Sequence, residues 1–110
     1  MPASHPTSSA VQRALRKLGS DIRDARRRRR LPMAVVADRA FTSRSTLQKV
    51  EEGNPTVGIG IYAGVLQALG LLDHLKEIAD IAHDSVGQLL ASAQLPKHAH
   101  LKRIVKPPSP

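Results

Sequence analysis

The sequence predicts an all-α fold: a compact domain of five to six helices with a flexible N-terminal segment and a basic C-terminal tail. Three observations carry that expectation. From residue 11 onward, apolar residues recur at steps of three and four, the period of one helix face. Pro32, Gly53, Asn54-Pro55 and Gly70 cut this pattern into short helices. No stretch shows the apolar–polar alternation of a half-buried strand, and no internal repeat is present.

Residues 1–8 are rich in Pro, Ser and Thr and read as disordered. Val11, Leu15, Leu18, Ile22 and Ala25 then form one apolar stripe, which predicts a first helix over residues 9–30. Its arginine-rich last turn complements the negative helix C-terminus by ~0.3–1 kcal/mol. Residues 26–30 are all arginine; at about 100° per residue they cover every side of a helix, so the run is not one surface. Arg29 continues the stripe and is expected to lay its stem on the core.

Pro32 disfavours helical geometry at Leu31 and suits the start of a new helix. That second helix, residues 32–40, turns Val36 and Ala37 inward. Ser43 is a good N-cap for a third helix, with Leu47 and Val50 facing inward. Gly53 in a left-handed conformation ends it. Thr56 is expected to cap a fourth helix over residues 57–69, with Ile59, Tyr62, Ala63, Leu66 and Leu69 as its stripe. Gly58, Gly60 and Gly64 weaken this helix by up to ~1 kcal/mol each, and point to tight helix packing or to close approach of a ligand. Gly70 ends it. A fifth helix, residues 71–82, would bury Leu72, Leu75, Ile78 and Ala79; a sixth, residues 85–94, carries Val86, Leu89 and Leu90. The expected organisation is therefore residues 1–8 disordered, 9–82 a folded domain, 83–94 a C-terminal helix, and 95–110 a flexible basic tail.

Charge narrows the partner. The 110 residues carry 17 Lys and Arg against 9 Asp and Glu, a formal net charge of +8. That excess in a short chain implies an anionic partner: nucleic acid, a membrane surface or an acidic protein. Phe41 and Tyr62 are the only aromatics, too few for the stacking platforms of a single-strand reader. The chain has no cysteine, which excludes disulfides and thiolate metal sites and fits a reducing cytoplasm. The first residues lack the apolar stretch of a signal peptide, and no apolar run is long enough to span a membrane. His5, His74, His83, His98 and His100 show no metal-ligand spacing, and Asp80 and Asp84 have no catalytic partner in the sequence. No enzymatic activity, cofactor or metal is expected.

The central segment carries a resemblance. A short helix, a tight turn and a Ser-capped second helix ending in "RSTLQKVEEG" form a helix-turn-helix pattern. Residues 18–72 resemble the Xre-type, phage-repressor-like DNA-binding domain: "LGSDIRDAR", "VVADRA", "TSRSTLQKVEEGNPT" and "YAGVLQALGL" match its four helices in order. More narrowly, "KVEEGNPTVGIGIYAGVLQALGLLDHLKEIAD", followed by "LP" and a basic tail, is similar to HipB-type antitoxins. This likeness implies a homodimeric repressor that binds double-stranded operator DNA, autoregulates its operon and holds a HipA-like kinase toxin. A free-standing Xre-type regulator without a toxin, and an adaptor that has lost DNA binding, are the alternatives. The sequence departs from the family in four places. Phe41 stands in the turn where glycine is common, Thr42 where an aliphatic residue is usual, Met33 where a polar DNA-contacting residue is usual, and Arg30 where Gly or Asn is frequent. A bulky residue at positive φ costs about 1–2 kcal/mol, so the turn at Phe41 is expected to differ.

The helix-turn-helix pattern assigns roles. The major groove admits one helix by its N-terminal end, so base edges would be read by Arg44, Ser45, Gln48 and Lys49. Arg44 suits a guanine edge and Gln48 an adenine edge, each worth ~1–3 kcal/mol of discrimination. Ser43 and Thr56, as helix caps, and Thr46, Asn54, Arg23 and Arg27 would contact phosphates. One short helix reads few base pairs, so a dimer is expected, with recognition helices about 34 Å apart. Leu71, Leu72, Leu75, Leu89 and Leu90 are its candidate interface, also available to a toxin partner.

Overall fold

Ser8 begins the first helix: its side-chain oxygen accepts a hydrogen bond from Val11 N at 3.1 Å. In the computed structural model, which describes residues 6–94, α1 spans Ser9–Arg28, α2 Met33–Arg39, α3 Arg44–Glu51 and α4 Ile59–Ala68. A single turn, α5, follows at Leu72–Leu75. The described residues are all-helical, with no strand among them. The described residues divide into two units, the first ending at Leu75 and the second beginning at Lys76. Residues 1–5 and the expected basic tail, 95–110, lie outside the described residues. Thr7 and Ser8, expected to be disordered, instead hold the start of α1; Gln12 Nε2 also donates to Thr7 Oγ1 at 3.0 Å.

The ends of α1 to α4 share one device. After each helix a residue takes positive φ: Arg30 (53°), Phe41 (57°), Gly53 (73°) and Gly70 (78°). The next amide reaches back five residues in every case, from Leu31 to Arg26 O, Thr42 to Ala37 O, Asn54 to Lys49 O and Leu71 to Leu66 O. This is the Schellman arrangement, which satisfies carbonyls left over at a helix end. Glycine enters it freely. Arg30 and Phe41 do not, so the turn at Phe41 keeps the left-handed geometry that its bulk argued against. The benefit of closing the turn outweighs the side-chain clash.

Phe41 gains nothing visible for this strain, since it is 95% exposed. Phe41→Gly should therefore raise stability by about 1 kcal/mol, read as a higher urea midpoint at unchanged slope. A lowered midpoint would mean that the ring contributes contacts that its exposure does not reveal.

Packing of the first unit follows the stripes. Ile22 and Ala25 of α1, Val36 and Ala37 of α2, Leu47 and Val50 of α3, and Tyr62, Val65, Leu66 and Leu69 form the core. Helix α3 packs against both α1 and α2, α2 against α4, and α4 against α5. Some expectations fail at the margins. Val11 is exposed because α1 extends past the core, and Ile59 is exposed at the start of α4. Val65, outside the expected stripe, is fully buried. Gly64 lies against α2: a Cβ there would sit 3.3 Å from Ala40 O, so tight packing explains this glycine. Gly58 and Gly60 face open space, and packing does not explain them.

Two helix boundaries also change. The N-cap of α4 is Gly58, not Thr56. Asn54 Oδ1 accepts from Thr56 N at 2.8 Å and from Thr56 Oγ1 at 2.6 Å, a side-chain-closed turn that delays the helix. The fifth helix ends at Leu75 rather than residue 82. Within the expected span, the Asp80 carboxylate accepts from Ala82 N at 2.8 Å and starts a separate 3-10 turn, Ile81–His83. Ile78 and Ala79 are consequently exposed rather than inward.

The second unit is described up to residue 94. Beyond the 3-10 turn, Asp84 Oδ1 accepts from Gly87 N at 2.9 Å and caps α6, Ser85–Gln94, over the expected range. Gln88 Nε2 donates to Ile81 O at 2.7 Å and ties α6 to the 3-10 turn. The two aspartates are thus helix caps.

Candidate nucleic-acid interface

Helix α3 is amphipathic by its spacing, and one side of it is fixed to the rest of the unit. Leu47 and Val50 are fully buried, and Glu51 beside them is only 4% exposed. Three attachments hold this inner side. First, the exit of α3 presses on the backbone of α1: a Cβ on Gly19 would sit 2.6 Å from both Val50 O and Gly53 N. Second, Arg26 grips Glu51 with two parallel hydrogen bonds, Nε to Oε2 at 2.7 Å and Nη2 to Oε1 at 3.0 Å. Arg26 Nη1 also donates to Leu31 O at 3.2 Å, so one guanidinium joins α1, the α1–α2 turn and α3. Hydrogen bonding to Glu51 raises the Arg26 pKa above its ordinary value, against the opposing effect of burial. Third, Tyr62 of α4 donates from its hydroxyl to Asn54 O at 2.9 Å and anchors the loop after α3. Burial pushes this phenol's pKa up.

The other side of α3 faces outward. Arg44, Ser45, Gln48 and Lys49 are all exposed there, on successive turns. No hydrogen bond or ion pair joins the side chain of Arg44 or of Lys49 to another described residue. Gln48 Nε2 donates to Glu52 Oε2 at 3.2 Å, so it must leave this carboxylate, or share it, to meet another group. Ser43, Ser45 and Thr46 gather at the helix start. Ser43 Oγ accepts from Thr46 N at 3.1 Å, donates to Thr46 Oγ1 at 3.0 Å and lies 3.2 Å from Ser45 Oγ. The cap is therefore formed as expected, with its hydroxyl already engaged.

The remaining candidates are dispersed. Arg27 is exposed near the end of α1, and Arg23 Nε lies 3.7 Å from Glu51 Oε1, inside the ion-pair cluster. Asn54 and Thr56 are bonded to each other as described above. Met33 is half-buried and packs against the core. Leu71 and Leu75 also pack against the core, and Leu72 is half-buried; Leu89 and Leu90 are exposed in the second unit. Arg29 does not lay its stem on the core: it is exposed, and its Nη1 donates to Ala25 O at 2.9 Å.

No protein-family model, curated protein or solved structure matches this chain. No helix among the described residues is long and apolar enough to cross a membrane.

Sequence reasoning missed Arg26, Glu51 and Gly19, which orient α3. A signal for one of them was present: Glu51 follows Val50 and lies four residues after Leu47, so it falls on the inward face. A carboxylate there needs a cation. It also missed a shallow cleft of about 290 Å³ among Gln12, Arg16, Glu52, Gly53, Asn54 and Pro55. Its lining comes from both α1 and the loop after α3, so it exists only once the two are folded together.

Proposed function

We propose that the first unit is an Xre-type helix-turn-helix domain that binds double-stranded DNA as a transcriptional repressor. The observation that carries this reading is the division of α3. Its inner side is locked to α1 and α2, while Arg44, Ser45, Gln48 and Lys49 stand exposed on the outer side at the capped N-terminal end. A helix held this way keeps its base-reading groups in fixed positions, and the net charge of +8 favours a polyanion. The repressor acts as a homodimer, because one helix of this length reads only a few base pairs.

The resemblance extends the proposal to an antitoxin that autoregulates its operon and binds a HipA-like kinase. Co-purification with such a kinase from the host tests that extension, and a free-standing regulator is what its failure would leave. A protein-binding adaptor is the second reading, favoured by the exposed ring of Phe41 and by the Gln48–Glu52 hydrogen bond.

Arg44→Ala should weaken binding to the chain's own promoter by ~1–3 kcal/mol and relax selectivity at one base position. Affinity should also fall steeply as salt rises, since each neutralised phosphate releases counterions. Mobility-shift titrations at several salt concentrations give both results. A variant that binds as tightly as wild type would remove Arg44 as a base reader, and a wild type that shows no salt-dependent binding to its promoter would support the adaptor instead.

A further inference from the structure

Glu52 is the C-cap of α3, and its carboxylate accepts from Gln48 Nε2 at 3.2 Å. Both residues are exposed, so burial does not force them together. Helix stability does not account for Glu52 either, since a carboxylate at a helix C-terminus opposes the helix dipole. Arg16 lines the same cleft as Glu52 yet makes no ion pair with it. Among the described residues, Gln48 is the one side-chain hydrogen-bond partner of Glu52. An ionised carboxylate only accepts hydrogen bonds, whereas a glutamine amide has two N–H donors at one end and an acceptor at the other. Glu52 therefore fixes which end of the Gln48 amide faces it. A flipped amide would set Oε1 against the carboxylate, two acceptors with no proton between them. One N–H of Nε2 is used in this way, and the other N–H and Oε1 stay available. One donor beside one acceptor is the pattern that meets N7 and N6 of adenine.

We infer that Glu52 is a positioning residue for base readout: it holds the Gln48 amide in the one orientation that presents this donor–acceptor edge. The inference deepens the DNA-binding reading and rests on it. Gln48 keeps its bond to Glu52 while it reads, so the bond does not withdraw Gln48 from binding. Part of the ordering cost is then met before a duplex arrives, and freezing a glutamine side chain costs on the order of 10-fold in an equilibrium constant. Orientation also decides selectivity. An amide free to turn over would offer its N–H groups to guanine or its oxygen to cytosine N4, and adenine would lose its advantage. The same carboxylate repels phosphates, so it lowers affinity for every duplex alike. Glu52 thus weakens binding in general and sharpens it at one base.

Selection from a randomised duplex library, with the full chain as wild type, Gln48→Ala, Glu52→Ala and Glu52→Asp, tests the inference. Gln48→Ala marks the base position that Gln48 reads, by flattening an adenine preference of about 5- to 150-fold. Glu52→Ala should lower the preference at that same position by on the order of 10-fold, while overall affinity rises. The lost charge acts on all sequences equally and cancels in the ratio. Glu52→Asp keeps an acceptor-only group four residues from Gln48 and should restore the preference. A second readout needs no DNA. In nuclear magnetic relaxation, the side-chain amide of Gln48 should be more ordered than that of exposed Gln67, and equally mobile in Glu52→Ala. The inference is overturned by an adenine preference that survives Glu52→Ala, by a loss spread over every position, or by Glu52→Asp behaving as Glu52→Ala. A preference for another base at the Gln48 position, or a Gln48 amide as mobile as that of Gln67, also overturns it. A wild type that selects no sequence and binds without salt dependence removes the DNA-binding reading, and this inference with it. Sequence selection that Glu52→Ala leaves intact removes this inference alone.

Discussion

Gly19→Ala is expected to remove a substantial share of the stability of the first unit. The added methyl would sit 2.6 Å from Val50 O and Gly53 N and 2.7 Å from Glu51 O. All three are backbone atoms, and none can turn away as a side-chain tip would. Overpacking a close contact costs ~1–3 kcal/mol, and more where the backbone must move, so ~3 kcal/mol is the expected loss. Small domains have only about 5–15 kcal/mol to lose. Circular dichroism during a urea titration should show the midpoint fall sharply. The helix preference of alanine over glycine works in the opposite direction by up to ~1 kcal/mol. A neutral or stabilised variant would therefore mean that α1 and the exit of α3 are further apart than described.

Glu51→Ala should have a comparable effect by a different route. It leaves the Arg26 guanidinium, whose side chain is 11% exposed, without the carboxylate that receives two of its hydrogen bonds. Removing one member of a buried pair costs ~3–5 kcal/mol, because the other charge remains desolvated. The reverse comparison is informative. A double variant, Arg26→Met with Glu51→Leu, removes both charges and should recover most of the loss. The thermal midpoints of wild type, both single variants and the double variant give the coupling directly. If the double variant is as unstable as Glu51→Ala, the pair acts through shape rather than charge. In the DNA-binding reading, the Arg26→Met, Glu51→Leu variant should fold but hold α3 less rigidly, with weaker discrimination among sequences.

These two sites also show why sequence reading reached some parts of the molecule and not others. Local chemistry was legible. Ser43 caps α3, Gly53 and Gly70 end helices in left-handed conformation, and Val36, Ala37, Leu47 and Val50 are buried as their spacing predicts. The all-helical architecture follows from the same signals. What was not legible depends on residues far apart in the chain. Gly19 reads as an unremarkable residue in a helix until α3 is laid across it. Arg26 is one of five identical neighbours, and only the carboxylate from 25 positions later distinguishes it. Competition between side chain and backbone also escaped a pattern reading: Asn54 claims Thr56 and shifts the start of α4, and Asp80 caps a separate 3-10 turn inside the span expected for the fifth helix. For the candidate site, sequence alone selected the outward residues of α3, but not the contacts that give Ser43, Gln48 and Arg23 other partners.

Tyr62 gives the molecule an optical property of its own. It is the only tyrosine, and there is no tryptophan. All phenol or indole absorbance and emission of the chain therefore arises from one ring, hydrogen-bonded to the carbonyl of Asn54 just past α3. Its near-ultraviolet signal reports the loop behind the helix. Any tryptophan emission recorded with this protein must come from whatever is bound to it.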